Sequence, residues 1–176
     1  MGTQSSVSIT VIYPGTFDPV TLGHLDIIKR AARLFDRVIV GVALSTPKKT
    51  VFSIEERVSM MKEAIEDCGI DGKIHVDVIE GLLVEFARKY DAKAVIRGLR
   101  AVSDFEYEFK MAWANRRLDP GIETIFLIPS ERYAYISSSL VREIARLGGD
   151  VSQFVTPKVK RRLVRAYSEK KYPFGE

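Results

Sequence analysis

Cysteine and histidine are scarce: Cys68 stands alone and only two histidines occur in 176 residues. One thiol rules out an internal disulfide, and so few soft ligands rule out a metal site without other residue types. Cys68 itself reads as a small, partly buried side chain late in a helix. No apolar run approaches the roughly 20 residues of a membrane span. The opening MGTQSSVSIT has neither the basic start nor the apolar core of a secretory signal, so a soluble, cytoplasmic protein with no membrane partner is expected. Three chemical signatures are missing too: the Gly-rich phosphate loop that ends in Gly-Lys-Ser/Thr, the G-x-G-x-x-G dinucleotide turn, and a serine, histidine and aspartate set around a nucleophile elbow.

What is present is enough for one core. The chain is 46% hydrophobic and 28% charged, a normal size for a single domain over 1–176, with flexible ends expected at 1–6 and 168–176. Its net charge of +4 permits an anionic ligand without choosing between nucleic acid and a phosphorylated metabolite. Short Val/Ile-rich runs predict strands at Val7–Ile12, Arg37–Ala43, Ile74–Ile79, Ala94–Ile96 and Thr124–Ile128. They show little strict alternation, as a sheet covered on both faces requires. Apolar spacings of three and four predict helices at 22–35, 54–67, 82–90, 102–116, 140–147 and 157–167, the second opening with a Ser53/Glu56 capping box. In the fourth, the apolar spacing is carried by Phe105, Phe109, Ala112 and Trp113. Alternating β and α predicts an α/β doubly wound parallel sheet of five strands with flanking helices and two C-terminal helices. Ligands of such sheets bind beyond the carboxyl ends of the strands.

Four of those ends carry anion chemistry. The first is YPGTFDPVTLGH, residues 13–24. Gly15 lets backbone approach a ligand, Pro14 and Pro19 stiffen the turn, Thr21 can cap the helix, and His24 falls in the first turn, where free N–H groups favour an anion. Gly23 costs on the order of 1 kcal/mol relative to alanine that early in a helix, so something is expected to lie close to it. After the second strand come Lys48 and Lys49, point charges on a loop. After the fourth, Arg97 and Arg100 flank Gly98 and can aim two guanidinium forks into one cleft. After the fifth, Ser137, Ser138 and Ser139 lead into a helix whose first turn carries Arg142, a cation opposed to the helix dipole that a bound anion would compensate.

Phosphate chemistry without a nucleophile points to direct transfer between two substrates, catalysed by positioning and charge stabilisation. His75 alternates with Ile74 and Val76 and reads as solvent-facing. A basic C-terminal stretch, KVKRRLVR, leaves an RNA-binding module as a reading from another class, although such a helix face is usually just solvated and no nucleic-acid partner is expected.

GTFDPVTLGH resembles the histidine signature of the nucleotidyltransferases, and with IRGLRAVSDFEYE and ISSSLVRE in this order the chain is similar to the phosphopantetheine adenylyltransferases over nearly its whole length. The resemblance implies a Rossmann-like five-stranded parallel sheet, a homohexamer, and Mg2+-dependent transfer of AMP from ATP to 4'-phosphopantetheine, giving dephospho-coenzyme A and pyrophosphate in coenzyme A biosynthesis. It implies that Thr16, Phe17 and His24 meet the nucleotide, with His24 catalytic at the α-phosphate, and that Lys48 serves catalysis and substrate binding. Thr16, Leu83 and Arg97 would hold phosphopantetheine. Gly98, Leu99, Arg100, Glu108, Tyr133, Ala134, Tyr135, Ile136 and Ser137 to Ser139 would hold ATP. The family often carries an acidic residue where this sequence has Gly81. A related transferase with nicotinate mononucleotide or glycerol phosphate as acceptor shares the opening motif, while the IRGLRAVSDFEYE segment argues against it.

Overall fold

The computed structural model describes residues 8–45, 49–70, 73–100 and 102–169. Five strands, β1 (Thr10–Gly15), β2 (Arg37–Ala43), β3 (Ile74–Ile79), β4 (Ala94–Gly98) and β5 (Glu123–Leu127), form one parallel sheet in the order β3-β2-β1-β4-β5. The helices are α1 (Leu22–Leu34), α2 (Ile54–Asp67), α3 (Leu83–Lys89), α4 (Val102–Leu118), α5 (Ser138–Arg146) and α6 (Pro157–Glu169). The strand order reverses between β1 and β4, the kind of point at which open α/β sheets form a ligand crevice.

The crevice opens because the β1–β4 ladder is short. Its register stops at Ile12↔Val95, whereas β1 stays paired to β2 as far as Gly15↔Val42. Beyond Ile12 the two central strands part. This also corrects the first predicted strand, which starts and ends three residues later than its hydrophobicity suggests; a proline ordinarily forfeits a ladder bond inside a strand, but Pro14 lies where the β4 ladder has already ended. Residues 1–7 are outside the described residues, and α6 runs on through Glu169 into the expected tail.

Alternation along β1 divides the core. Val11 and Tyr13 join a large cluster with Ile28, Val40, Met60, Met61, Val141 and Leu163. Ile12 belongs to a smaller one with Ile39, Val84, Phe86 and Val95. The Ser53/Glu56 capping box of α2 is formed, with Ser53 N donating to Glu56 Oε2 at 2.8 Å and Glu56 N to Ser53 Oγ at 3.2 Å.

The spacing of Phe105, Phe109 and Trp113 does form a helix, α4, but these rings lie along its surface, Phe105 stacked on Phe109 at 5.2 Å and Trp113 tilted against Phe109 at 4.6 Å, and Trp113 is 63% exposed. One expectation fails. Cys68 is exposed at the C-cap of α2, past the last buried turn. His75 is solvent-facing as expected, its ring beside Tyr90. The basic C-terminal stretch forms α6, whose charges are largely taken: Lys158 pairs with Asp67, Lys160 with Asp150 and Arg162 with Glu63.

Candidate active site

A cleft opens over the carboxyl ends of β1 and β4, walled by the first turn of α1, the 129–137 segment and the N-terminus of α5. Thr16, Phe17, His24, Arg97, Gly98, Arg100, Glu108, Tyr133, Ile136 and Ser137 to Ser139 line it together. These residues come from five separate stretches of the chain and meet because parallel strands place all their carboxyl ends on one edge of the sheet.

The β1–α1 turn is built around Phe17, which adopts a left-handed backbone at φ 51 and swings its ring back across Gly15. A Cβ on Gly15 would lie 2.7 Å from that ring, so the glycine makes room for Phe17, not directly for a ligand. The same ring sits 5.0 Å edge-on to His24 and 5.5 Å from Tyr13, fixing the imidazole from one side. A non-glycine residue in the left-handed region stores of order 1 kcal/mol of strain or more, and such strain concentrates at functional sites. Gly23 similarly admits protein: a Cβ there would meet the Tyr133 carbonyl oxygen at 3.4 Å. The close neighbour expected of it is therefore the 131–133 turn.

His24 is locked from below. Thr21 caps α1, and the backbone N–H of Thr21 donates to His24 Nδ1 at 3.0 Å, with Thr21 Oγ1 at 3.1 Å from the same nitrogen. A nitrogen that accepts from an amide carries no proton, so the neutral ring bears its hydrogen on Nε2. Burial, seconded by the charge of Arg100, pushes the imidazole down to about 4. At neutral pH the ring is therefore an uncharged, fixed Nε2–H donor in the cleft. It can stabilise developing negative charge and cannot act as a cationic counter-ion.

The arginines are not free forks. Arg97 donates to Glu108 through Nε at 2.6 Å and Nη2 at 2.7 Å, and its Nη1 reaches the Pro14 carbonyl at 3.3 Å. Burial opposes the charge on Arg97, but the bonds and field of Glu108 overcome it and raise its pKa. Arg100 leans on Asp104 at 3.1 Å and donates to the Ile136 carbonyl at 3.2 Å. A guanidinium has five N–H donors, so each keeps some for a ligand, already oriented by its carboxylate. At α5, Ser137 is the N-cap, its Oγ accepting from Leu140 N at 3.1 Å, while Ser138 Oγ donates to the Pro19 carbonyl at 2.8 Å.

The charge of Arg142 has a different answer from the one its position suggested. It lies against Asp18, with Nη1 3.5 Å from Oδ2, and donates to the Asp18 carbonyl. The Asp18 side chain is 3% exposed and accepts from Val51 N at 2.9 Å and Phe52 N at 3.0 Å. Beside it Arg57, 2% exposed, donates through Nη1 to Thr16 O at 2.8 Å and Ala43 O at 2.9 Å. Below the cleft these three charged groups tie together the β1 turn, the β2–α2 connection and α5.

Four of the expected residues stand apart from the cleft lining. Leu83 opens α3 and packs on the Ile39 cluster; Leu99 N donates to Leu127 O at 3.0 Å; Ala134 N donates to Glu131 O at 3.2 Å; Tyr135 is exposed beside Phe154. Lys48 lies outside the described residues. Near Gly81, the position of a Cβ would be 3.4 Å from the carboxylate of Glu85, an acid supplied one turn into the following helix. Sequence reasoning passed over Tyr13, Asp18 and Arg57. The last had a visible signal: Arg57 falls in the α2 stripe of Met60, Met61 and Ala64, and a charge on a buried stripe must find partners.

Residues 12–144 match the cytidylyltransferase-like family. The phosphopantetheine adenylyltransferase of Bordetella petrii is 52% identical over 171 residues, covering 96% of this chain and 99% of its own. That of Caldanaerobacter subterraneus is 54% identical, covering 90% and 97%, and that of Nitrosomonas eutropha 59% identical, covering 87% and 92%. Among solved structures, the nicotinic acid mononucleotide adenylyltransferase of Plasmodium falciparum superposes with a TM-score of 0.69 at 16% identity, over 92% of this chain and 97% of that one, a likeness of fold. With more than half of all positions shared across nearly the full length of such relatives, the chain belongs to the phosphopantetheine adenylyltransferase family of the cytidylyltransferase-like enzymes.

Proposed function

We propose that the chain transfers the adenylyl group of ATP to 4'-phosphopantetheine, releasing pyrophosphate and forming dephospho-coenzyme A, a step of coenzyme A biosynthesis. The observation that carries the reading is the joint presence, in one cleft, of the neutral His24 donor, the carboxylate-oriented Arg97 and Arg100, and the N-terminus of α5. The phosphate of the acceptor attacks the α-phosphorus in line, and negative charge moves toward the leaving pyrophosphate. His24 meets charge at the reacting phosphate, Arg97 holds the acceptor phosphate, and Arg100 with the 133–139 segment holds ATP. Thr16, Lys48 and Leu83 complete the acceptor side by resemblance to the family. Pyrophosphate release from ATP, measured with phosphopantetheine and with nicotinate mononucleotide, tests the reading. Turnover with the first only supports it, and turnover with the second only replaces it by the mononucleotide alternative.

Among the described residues no group of three or more His, Cys, Asp or Glu side chains could cage a metal ion. Mg2+ prefers few protein carboxylates and several phosphate and water oxygens, so it enters here as part of MgATP. No described helix is long and apolar enough to cross a membrane, and a reaction that draws on ATP and a coenzyme A precursor is consistent with a cytoplasmic enzyme. The contiguous, exposed rings of Phe105, Phe109 and Trp113 on α4 support the homohexamer that the family resemblance implies, since contiguous apolar surface of that kind marks association sites. Sedimentation equilibrium reads the assembly, and a monomer at all concentrations overturns it.

The two arginines provide a test of the subsites. Arg97→Lys is expected to raise the phosphopantetheine Kd about tenfold, and Arg100→Lys the ATP Kd by a similar factor, because lysine keeps the charge and loses the fork. Lysine also leaves Glu108 a cationic neighbour, where alanine would strand its half-buried carboxylate. A reversed pattern in calorimetry would mirror the two subsites.

A further inference from the structure

Tyr13 is a largely buried tyrosine whose hydroxyl opens on the cleft without a hydrogen-bond partner among the described residues. It stands on β1 one residue past the last β1–β4 pair, where the strands part, and it is 5% exposed while lining the cleft. Its ring packs in the main core against Phe17. The hydroxyl lies over Gly98, 3.8 Å from where a Cβ would be, in the stretch bounded by Arg97 and Arg100. Among the described residues it makes no hydrogen bond. The hydroxyl of a largely buried tyrosine usually finds a partner, and this one, open to the cleft and not sealed in the core, can take it from a ligand there. Burial also raises its pKa far above the ordinary tyrosine range, against the pull of Arg97 and Arg100, so the hydroxyl keeps its proton at any working pH.

We infer that Tyr13 Oη donates a hydrogen bond to the phosphate of the acceptor substrate, making it a substrate-contacting residue beside Arg97. Its position selects the acceptor side. The nucleotide side is built from the α1 turn, the 131–136 segment and the N-terminus of α5, whereas Tyr13 stands on the crevice floor between β1 and β4 beside Arg97, whose Nη1 reaches the carbonyl of Pro14, the next residue of β1. An acceptor phosphate there meets the remaining Arg97 donors and a neutral hydroxyl. The hydroxyl adds orientation without adding charge that would quench the attacking oxygen.

This inference rests on the adenylyl-transfer reading above, and the test separates the two. Tyr13→Phe deletes one oxygen and keeps the ring. In calorimetry the variant should bind phosphopantetheine about ten times more weakly, bind dephosphorylated pantetheine as the unmodified enzyme does, and keep its ATP Kd within twofold; a hydrogen bond to a charged group is worth about that factor or more. At saturating acceptor, kcat should stay within about threefold. If the unmodified enzyme does not turn over phosphopantetheine, the functional reading has failed. If it does, and Tyr13→Phe binds phosphopantetheine normally, loses affinity equally for phosphopantetheine and pantetheine, or loses affinity for ATP instead, the inference is overturned. A thermal melt of Tyr13→Phe accompanies each titration. Should the variant be unstable, fluorotyrosine at position 13, which strengthens the donor while keeping the oxygen, should tighten phosphopantetheine binding at pH 7, and no change there overturns the inference as well.

Discussion

Replacing His24 by alanine lowers kcat by about 10² to 10³ while the Kd for ATP changes only a few-fold, because a donor aimed at charge that develops in the transition state contributes little to the ground state. The structure adds a complication and its remedy. His24 Nδ1 also completes the capping box with the Thr21 N–H, so alanine removes a helix cap together with the catalytic donor, at a cost near 1 kcal/mol of stability. Glutamine is a usual residue at that capping position. His24→Gln can restore the cap through its side-chain oxygen, while its amide N–H, on a flexible stem, is not held rigidly at the place of Nε2. The expected result is a protein that melts like the unmodified enzyme and remains slow; recovery of turnover along with the melting temperature would assign His24 to the cap alone. The protonation state gives an independent reading. With the imidazole depressed to about 4, its NMR resonance should show no titration between pH 5.5 and 8. Protonation of the unfolded chain near 6.5, which the folded ring resists, makes the His24 contribution to stability fall as pH drops from about 6.5 toward 4. His24→Gln should flatten that part of the stability profile. A His24 transition near 6.5 would mean that the ring is not desolvated as the structure has it.

The second large effect is on folding. Asp18→Ala leaves the Val51 and Phe52 N–H groups without their acceptors and strips Arg142 of its carboxylate partner and Arg57 of a nearby opposite charge. Breaking one side of a buried ionic arrangement typically costs about 3 to 5 kcal/mol. For a chain of this size that corresponds to roughly 6 to 20 °C in the melting midpoint. Asp18→Asn keeps one acceptor oxygen and should lose less, on the order of 1 to 3 kcal/mol. Thermal and urea denaturation of both variants measure this. A midpoint within about 2 °C of the unmodified protein for Asp18→Ala would show that the β1 turn, the β2–α2 connection and α5 are held by packing alone. Activity should fall with stability in both variants, since the same carboxylate positions the turn that carries Thr16 and His24 and the connection that follows Lys48.

Much of the fold was legible because its determinants are local. The five strands and six helices follow from short Val/Ile runs and from spacings of three and four, and the Ser53/Glu56 box and the Thr21 cap are contacts across three residues. The position of His24 in a first turn and the gathering of the 13–24, 97–108 and 133–139 segments at one sheet edge follow from the alternation of strand and helix. The sequence alone settled which residue types would meet at the carboxyl ends of the strands. Only the tertiary structure decided what each was bonded to. Arg142 meets Asp18 across 124 residues, Arg57 reaches Thr16 across 41, and Arg97 finds Glu108 across 11. Such partners depend on how elements pack, a property with no local periodicity. For the same reason the α4 spacing foretold its helix and not the exposure of its rings: a 3.6-residue period reports that a helix has an apolar side, and packing decides whether this chain covers it. The crevice itself arises where the β1–β4 ladder stops at Ile12, and strand pairing, being a relation between segments more than 80 residues apart, is written in neither of them alone.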